Sequence, residues 1–270
     1  MFRLATLFLL ALTWSASAQE RIESHCRALA QASPNMVWLA GFGTPVAKDN
    51  VRIRYIDHSM FLIETPGGIT VVTDFAGYLG ITTFLPDVVT MNNSHDTHFT
   101  SYPDPDIKHV LQGWPSRDGT PATHHLDLGE ILIRNVTTDT RGYSGLAIED
   151  GNSIFVFEVA GLCIGHLGHL HHEPDAQQYA DLGRVDVLLA PVDGGRTLDL
   201  PSMINVIKRL RSSVVIPMHW FSDYSLDIFL TDIEAEFSVQ RAGINDITLS
   251  RFSLPGAPTV LVLEPQFLSD

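Results

Sequence analysis

Seven of the twelve histidines fall in three short segments. His95 and His98 lie in Asn93-Ser94-His95-Asp96-Thr97-His98. His166, His169, His171 and His172 lie in Gly165-His166-Leu167-Gly168-His169-Leu170-His171-His172, and His219 ends Pro217-Met218-His219. Neutral imidazole binds zinc and several other divalent ions, and a coordination shell needs three or more donors converging on one point. The chemistry open to such a shell is hydrolysis, because a bound cation acidifies water and polarises a carbonyl or phosphoryl oxygen. Any one of these histidines taken alone reads as a solvated loop residue. Three clusters placed alike point to a metal site.

The placement is what unites them. Each segment follows an apolar, β-branched run: Val88-Val89-Thr90-Met91 for the first, Ile154 to Phe157 leading on to Leu162-Cys163-Ile164 for the second, and Val214-Val215-Ile216 for the third. Runs of this kind read as buried strands, and an open α/β sheet builds its sites where such strands end. Further strands are expected at 107 to 111, 130 to 136, 145 to 149, 153 to 158, 185 to 190, 213 to 218, 246 to 251 and 258 to 263. The pair at 145 to 158 is expected to turn at Asp150-Gly151, a dipeptide favoured in hairpins. Helices are expected at 175 to 183, 200 to 211 and 225 to 238, the last from the helical spacing of Leu226, Phe229, Leu230, Ile233 and Phe237. Hairpins alternating with βαβ units make an α/β sandwich of mixed sheets with helices outside.

The order of these segments resembles the metallo-β-lactamase superfamily, in its branch of Zn-dependent hydrolases similar to ascorbate-6-phosphate lactonase. Asp57 to Thr65 followed by Ile69 to Asp74 resembles that branch's opening hairpin. Asn93 to His98 resembles its His-x-His-x-Asp-His signature, Gly161 to His172 its His-Leu-Gly-Asp-Leu-Gly-His segment, and Val185 to Val192 with Val215 to His219 its last two strands. The likeness spans about residues 51 to 221. It implies an αββα four-layer sandwich and a hydrolase that uses a metal-bound hydroxide on a small ester, lactone, amide or phosphoester.

In that register the chain departs from the family at several positions. Asn93 stands at the first signature His, Thr97 at the signature Asp, and His169 at the Asp that bridges two metals. The family's remaining His has no clear counterpart, Asp139 being the nearest donor. The resemblance therefore implies metal ligands at His95, His98, His169 and His219, with Asn93 and Asp139 as oxygen donors. One imidazole nitrogen cannot bridge two cations as a carboxylate does, which favours one ion over two. Zinc is the expected metal, with manganese or iron as alternatives. A threonine hydroxyl is no base near neutral pH, so Asp139 and Asp96 are the expected catalytic carboxylates. Asp74 is expected either to orient a ligand or to cap a turn, and His58 and His166 to pack behind the ligands. Two readings compete with the hydrolase: an iron-dependent oxidoreductase of the same fold, and a metal-binding protein without turnover.

The formal charge is −14 at pH 7, with 31 acidic against 17 basic residues. Such a surface excludes nucleic acid as a partner, since phosphates must be neutralised by Lys and Arg. A small-molecule substrate is expected instead. Tyr102, Trp220 and Phe221 are candidate pocket walls, and Arg141 and Arg196 candidate anion contacts. At the N-terminus, Arg3, the apolar stretch Leu4 to Trp14 and Ala16-Ser17-Ala18 read as a signal peptide over residues 1 to 18. Cleavage there would leave a periplasmic or secreted protein with no stable membrane insertion, an extension over 19 to 50 and one domain over 51 to 270. Trp38 and Phe42 would anchor the extension. The two cysteines, Cys26 and Cys163, would meet an oxidising compartment. Cys163 sits in a strand-like apolar run, and an inert core thiol is expected there ahead of a disulfide.

Overall fold

Fully apolar runs too short for helices become the centres of two sheets. The computed structural model of the protein describes residues 24–27, 43–142 and 145–270. The expected signal peptide, the anchors Trp38 and Phe42 and most of the N-terminal extension lie outside them. In chain order the strands are β1 (Asn50–Asp57), β2 (Met60–Glu64), β3 (Thr70–Thr73), β4 (Gly80–Ile81), β5 (Val88–Met91), β6 (His109–Gln112), β7 (His125–Asp127) and β8 (Ile131–Arg141). They continue as β9 (Ala147–Val159), β10 (Leu162–His166), β11 (Val187–Pro191), β12 (Val214–Met218), β13 (Ser238–Arg241), β14 (Asp246–Ser250), β15 (Thr259–Val262) and β16 (Leu268–Ser269). The helices are α1 (Ala176–Leu182), α2 (Leu200–Leu210) and α3 (Asp223–Ile233).

One sheet has six strands in the order β14-β1-β2-β3-β5-β6, and the other eight in the order β13-β15-β12-β11-β10-β9-β8-β7. Between them Ile53, Phe61, Ile63, Phe155, Phe157, Ile164, Leu189 and Ile216 interdigitate in one cluster. Removing each such side chain from water contributes roughly 1.5–3 kcal/mol before conformational entropy is counted. A second cluster joins the other face of the larger sheet to Met203, Val206 and Ile207 of α2 and to Leu226, Phe229 and Ile233 of α3. Local signals set the helix starts: Asp175 caps α1 in a capping box, and Asp199 caps α2 with Pro201 in its first turn.

These layers give the metallo-β-lactamase-like sandwich, with one qualification about its fourth layer. Among the described residues, the outer face of the six-stranded sheet is covered by loops and the β16-β4 ribbon. Phe75, Leu79, Ile107 and Leu268 pack there on Leu62, Val72, Val89 and Met91. The covering chain carries Tyr102-Pro103-Asp104-Pro105-Asp106, which has too many prolines for a helix. No helix among the described residues is long and apolar enough to cross a membrane.

Two expectations are corrected. The chain does not turn at Asp150-Gly151. Residues Ala147–Val159 form one strand paired along β8, and the register shift between Thr138 and Thr140 absorbs Asp150 (φ 52) as a bulge. A positive φ at an Asp-Gly pair serves a bulge as well as a turn, and only the length of the partner strand decides between them. The cysteines are also not free: Cys26 and Cys163 form a disulfide with Cα atoms 5.8 Å apart. Both are buried, but half-cystines bury as readily as thiols, so burial could not discriminate. The disulfide lies on the helix-facing side of β10, where Glu158 also accepts hydrogen bonds from Ser24 Oγ and the Cys26 N–H.

Candidate metal centre

Parallel pairing aligns the chemically active side chains. Strands β3 and β5 run parallel in one sheet, and β10, β11 and β12 in the other. Beyond their C-terminal ends come Asp74, His95 with His98, His169, Asp193 and His219 respectively, as the strand-end rule for α/β folds predicts. His58 arrives from the turn between β1 and β2. Three of these residues hold left-handed backbone: His58 (φ 48), Asp74 (φ 51) and His219 (φ 58). Conformations of that kind in residues other than glycine cluster at functional sites.

The imidazoles meet. His98 Nε2 lies 3.2 Å from His219 Nε2, and ring nitrogens of His58, His98 and His219 all fall within 4.8 Å of one another. The His169 ring centre is 4.6 Å from that of His98 and 5.4 Å from that of His219. His95 stands at the edge, its ring 5.5 Å from His169 and its side chain 40% exposed.

Behind the cluster, carboxylates fix the tautomers. His98 Nδ1 faces Asp74 in a short contact, with Ser59 Oγ 3.2 Å away, and His219 Nδ1 lies 2.8 Å from Asp193. A carboxylate at Nδ1 keeps the hydrogen on that nitrogen, so both Nε2 atoms present lone pairs to each other across 3.2 Å. Facing lone pairs in a buried site repel unless a cation or proton lies between them. Burial opposes charge on Asp74 and Asp193, but the neighbouring His98 and His219 more than reverse this, and both carboxyls lie well below the usual carboxylate range. His58 is pushed down to about 3 by burial and then by His219 and His98, and His169 to about 2 by burial and then by His98. Both are therefore neutral donors at physiological pH. His58 Nε2 is buried without a hydrogen-bond partner. Four imidazoles over two buried carboxylates fit a divalent cation in donor type and in charge.

The structure distributes the other sequence candidates elsewhere. Asn93 uses both ends of its amide, donating to Gly151 O at 2.9 Å and accepting from the His95 N–H at 2.8 Å, so it shapes the ligand loop. Asp139 accepts the Asp150 N–H at 3.0 Å in the β8–β9 bulge and is not among the residues lining the cleft. A bulge of this kind re-aims the side chain out of strand alternation, which sequence spacing cannot reveal. Asp96 is 88% exposed and lies 3.2 Å from His95 Nδ1. His166 is a buried tie, with Nε2 2.8 Å from Ser59 O and Nδ1 accepting the Gly168 N–H. His171 and His172 accept the backbone N–H groups of Arg141 and Asp139.

Sequence reasoning underrated His58 and missed Asp193. The signal for Asp193 was its place just after β11, equivalent to that of Asp74 after β3. Asp193 also accepts from the N–H groups of Gly195, Arg196 and Thr197, so one carboxylate holds both His219 and the loop beside it.

Gly168, between His166 and His169, is a sensitive point. Its φ is +60, and an added Cβ would meet Asn152 Oδ1 at 2.5 Å and Asn92 Cβ at 2.6 Å. That Asn152 oxygen accepts the His169 N–H. Gly168→Ala is expected to lower unfolding free energy by about 2 kcal/mol, read from urea titration, and to weaken metal binding through His169.

The cluster opens into a cleft of about 640 Å³ lined by His58, His95, His169, His171 and His219 together with Trp114, Ile148, Arg196 and Phe221. Residues 52–219 match the family model described as a Beta-lactamase superfamily domain. A protein described as a metal-dependent hydrolase in Nanoarchaeum equitans is 25% identical over 63% of this chain and 84% of its own length. One so described in Anaeromyxobacter is 26% identical over 64% of this chain and 76% of its own length. A crystal structure from Thermotoga maritima, described as a Zn-dependent hydrolase of the metallo-β-lactamase superfamily, superposes with a TM-score of 0.59 at 29% identity. It covers 80% of this chain and all of that one.

Proposed function

The chain belongs to the metallo-β-lactamase superfamily and is one of its metal-dependent hydrolases, and we propose that it binds one zinc ion and cleaves a small ester, lactone, amide or phosphoester. His58, His98, His169 and His219 would hold the ion, with His95 at the rim. The observation that carries this reading is the 3.2 Å approach of two Nε2 atoms whose rings are each backed by a carboxylate. Neutral imidazole donors suit zinc. When bound, the cation supplies Lewis acidity, lowering the pKa of water toward neutrality and polarising the scissile carbonyl or phosphoryl oxygen.

The side chains supply positioning and proton handling. Asp74 and Asp193 hold His98 and His219 in one tautomer, which keeps both donor nitrogens turned inward. No carboxylate lines the cleft among the described residues, and Thr97 occupies the signature aspartate position. The pair of Asp96 and half-exposed His95 is the relay by which a proton leaves for solvent. His171 Nδ1 accepts the Arg141 N–H, so its neutral form carries the hydrogen on Nε2, which is buried, and the ring packs against His169 as part of the cleft wall.

We place the protein outside the cytoplasm, in the periplasm or secreted. The leader-like residues 1 to 18 and the Cys26–Cys163 disulfide support this, since disulfides persist in oxidising compartments.

Elemental analysis of protein purified without added metal, followed by a panel of chromogenic esters, lactones and phosphodiesters, tests the reading. Zinc near one equivalent is expected, with turnover lost on chelation and restored by zinc. Turnover that survives complete metal removal would refute the metal-dependent route.

A further inference from the structure

In a chain of formal charge −14, no aspartate or glutamate lines the cleft over the imidazole cluster, whereas two arginines do. One of them is committed to structure: Arg141 Nη2 donates to the carbonyls of Gly195 at 3.0 Å and Thr197 at 2.8 Å. That clamp, with the Asp193 carboxylate on three successive N–H groups, fixes the backbone on both sides of Arg196. The Arg196 guanidinium makes no ion pair among the described residues and rests 4.9 Å over the Phe221 ring. A cation laid on an aromatic face keeps its N–H edge free for an anion while losing little side-chain entropy on binding.

Apolar groups line the same cleft as this cation. Phe221 is 57% exposed and Ile148 50% exposed, and both line the cleft with Trp114. Large apolar side chains left half-uncovered on a cleft wall are the usual mark of a ligand that completes their burial. We propose that this cleft selects a substrate with an apolar body and a single carboxylate, the body resting on Trp114, Ile148 and Phe221 and the carboxylate pairing with Arg196. This rests on the cleft being the substrate site of the hydrolase described above. It narrows that reading to esters, lactones or amides of apolar acids carrying a second, free carboxylate.

Binding of a matched pair of probes, 4-phenylbutyrate and the uncharged 4-phenylbutanamide, separates the two ideas because it requires no turnover. Titration calorimetry at low ionic strength on the full chain with its native metal should show the carboxylate bound about tenfold more tightly than the amide, as expected for a charge-assisted pair. Arg196→Met should reduce that preference to about twofold, chiefly by weakening the carboxylate, and Arg196→Lys should retain part of it. Ile148→Ser should weaken both probes by about threefold or more. If Arg196→Met keeps the full preference, the metal centre rather than Arg196 reads the charge, and the proposal is overturned. It is equally overturned if wild type binds neither probe or shows no preference. Absence of hydrolysis with the preference intact would reject the enzymatic reading and leave the anion site standing.

Discussion

Replacing His219 by alanine is expected to lower bound zinc from about one equivalent to less than about one tenth, and to reduce turnover by about a thousandfold or more. His219 is buried, it supplies one of the two Nε2 atoms that face each other, and it contacts His58, His98 and His169 through ring separations of 4.0–5.4 Å. Its φ of 58 adds a complication, because alanine is strained in the left-handed region. His219→Asn keeps a residue that tolerates that backbone but removes the ring, so it should lose metal while holding the urea midpoint of metal-free wild type. His98→Ala should behave like His219→Ala. Asp193→Asn is a graded counterpart: the ligand remains but its tautomer is no longer enforced, and metal affinity should fall by about 10–100-fold. A His219→Asn protein with full zinc content and activity would show that the cluster is not the metal site.

The residues of this series differ in how far the sequence revealed them. His98, His169 and His219 could be placed together because each follows an apolar β-branched run, and residue type plus strand end is a local signal. His58 carries no such signal, since it enters from a two-residue turn whose aim depends on the left-handed φ there. Asp193 was visible as a strand-end carboxylate, yet its partner lies 26 residues on, and only the parallel pairing of β11 with β12 brings the two into contact. Asp139 shows the opposite case. The family resemblance offered it as the donor nearest to a missing His, whereas the bulge between Thr138 and Thr140 gives its carboxylate to the Asp150 N–H. The layered fold was legible for a simpler reason: strand-length apolar runs and helix-period faces are repeated signals, and single errors such as the Asp150-Gly151 turn do not change their sum. The disulfide was not legible, because pairing of residues 137 positions apart is a property of tertiary structure.

Substituting both Cys26 and Cys163 by alanine is expected to lower the free energy of unfolding by about 2–4 kcal/mol. The bond closes a loop across a sequence separation of 137, so in the chain-entropy account it restricts the denatured ensemble strongly. Full loss of that term is not expected, since Glu158 holds Ser24 and the Cys26 N–H independently, and Arg184 N–H donates to Cys26 O. Urea titration should show a lower midpoint together with a larger denaturant slope, because a chain without the cross-link exposes more surface when unfolded. Wild-type protein treated with a reductant should approach the variant, whereas the variant should not respond. The metal centre provides the internal control. Cys163 packs on the helix side of β10 while Ile164 beside it faces the other sheet, so zinc content and turnover should stay near wild type below the unfolding transition. Two titratable thiols in native protein recovered from an oxidising compartment, or an unchanged midpoint in the double variant, would show that this bond does not hold the Cys26 segment to the fold.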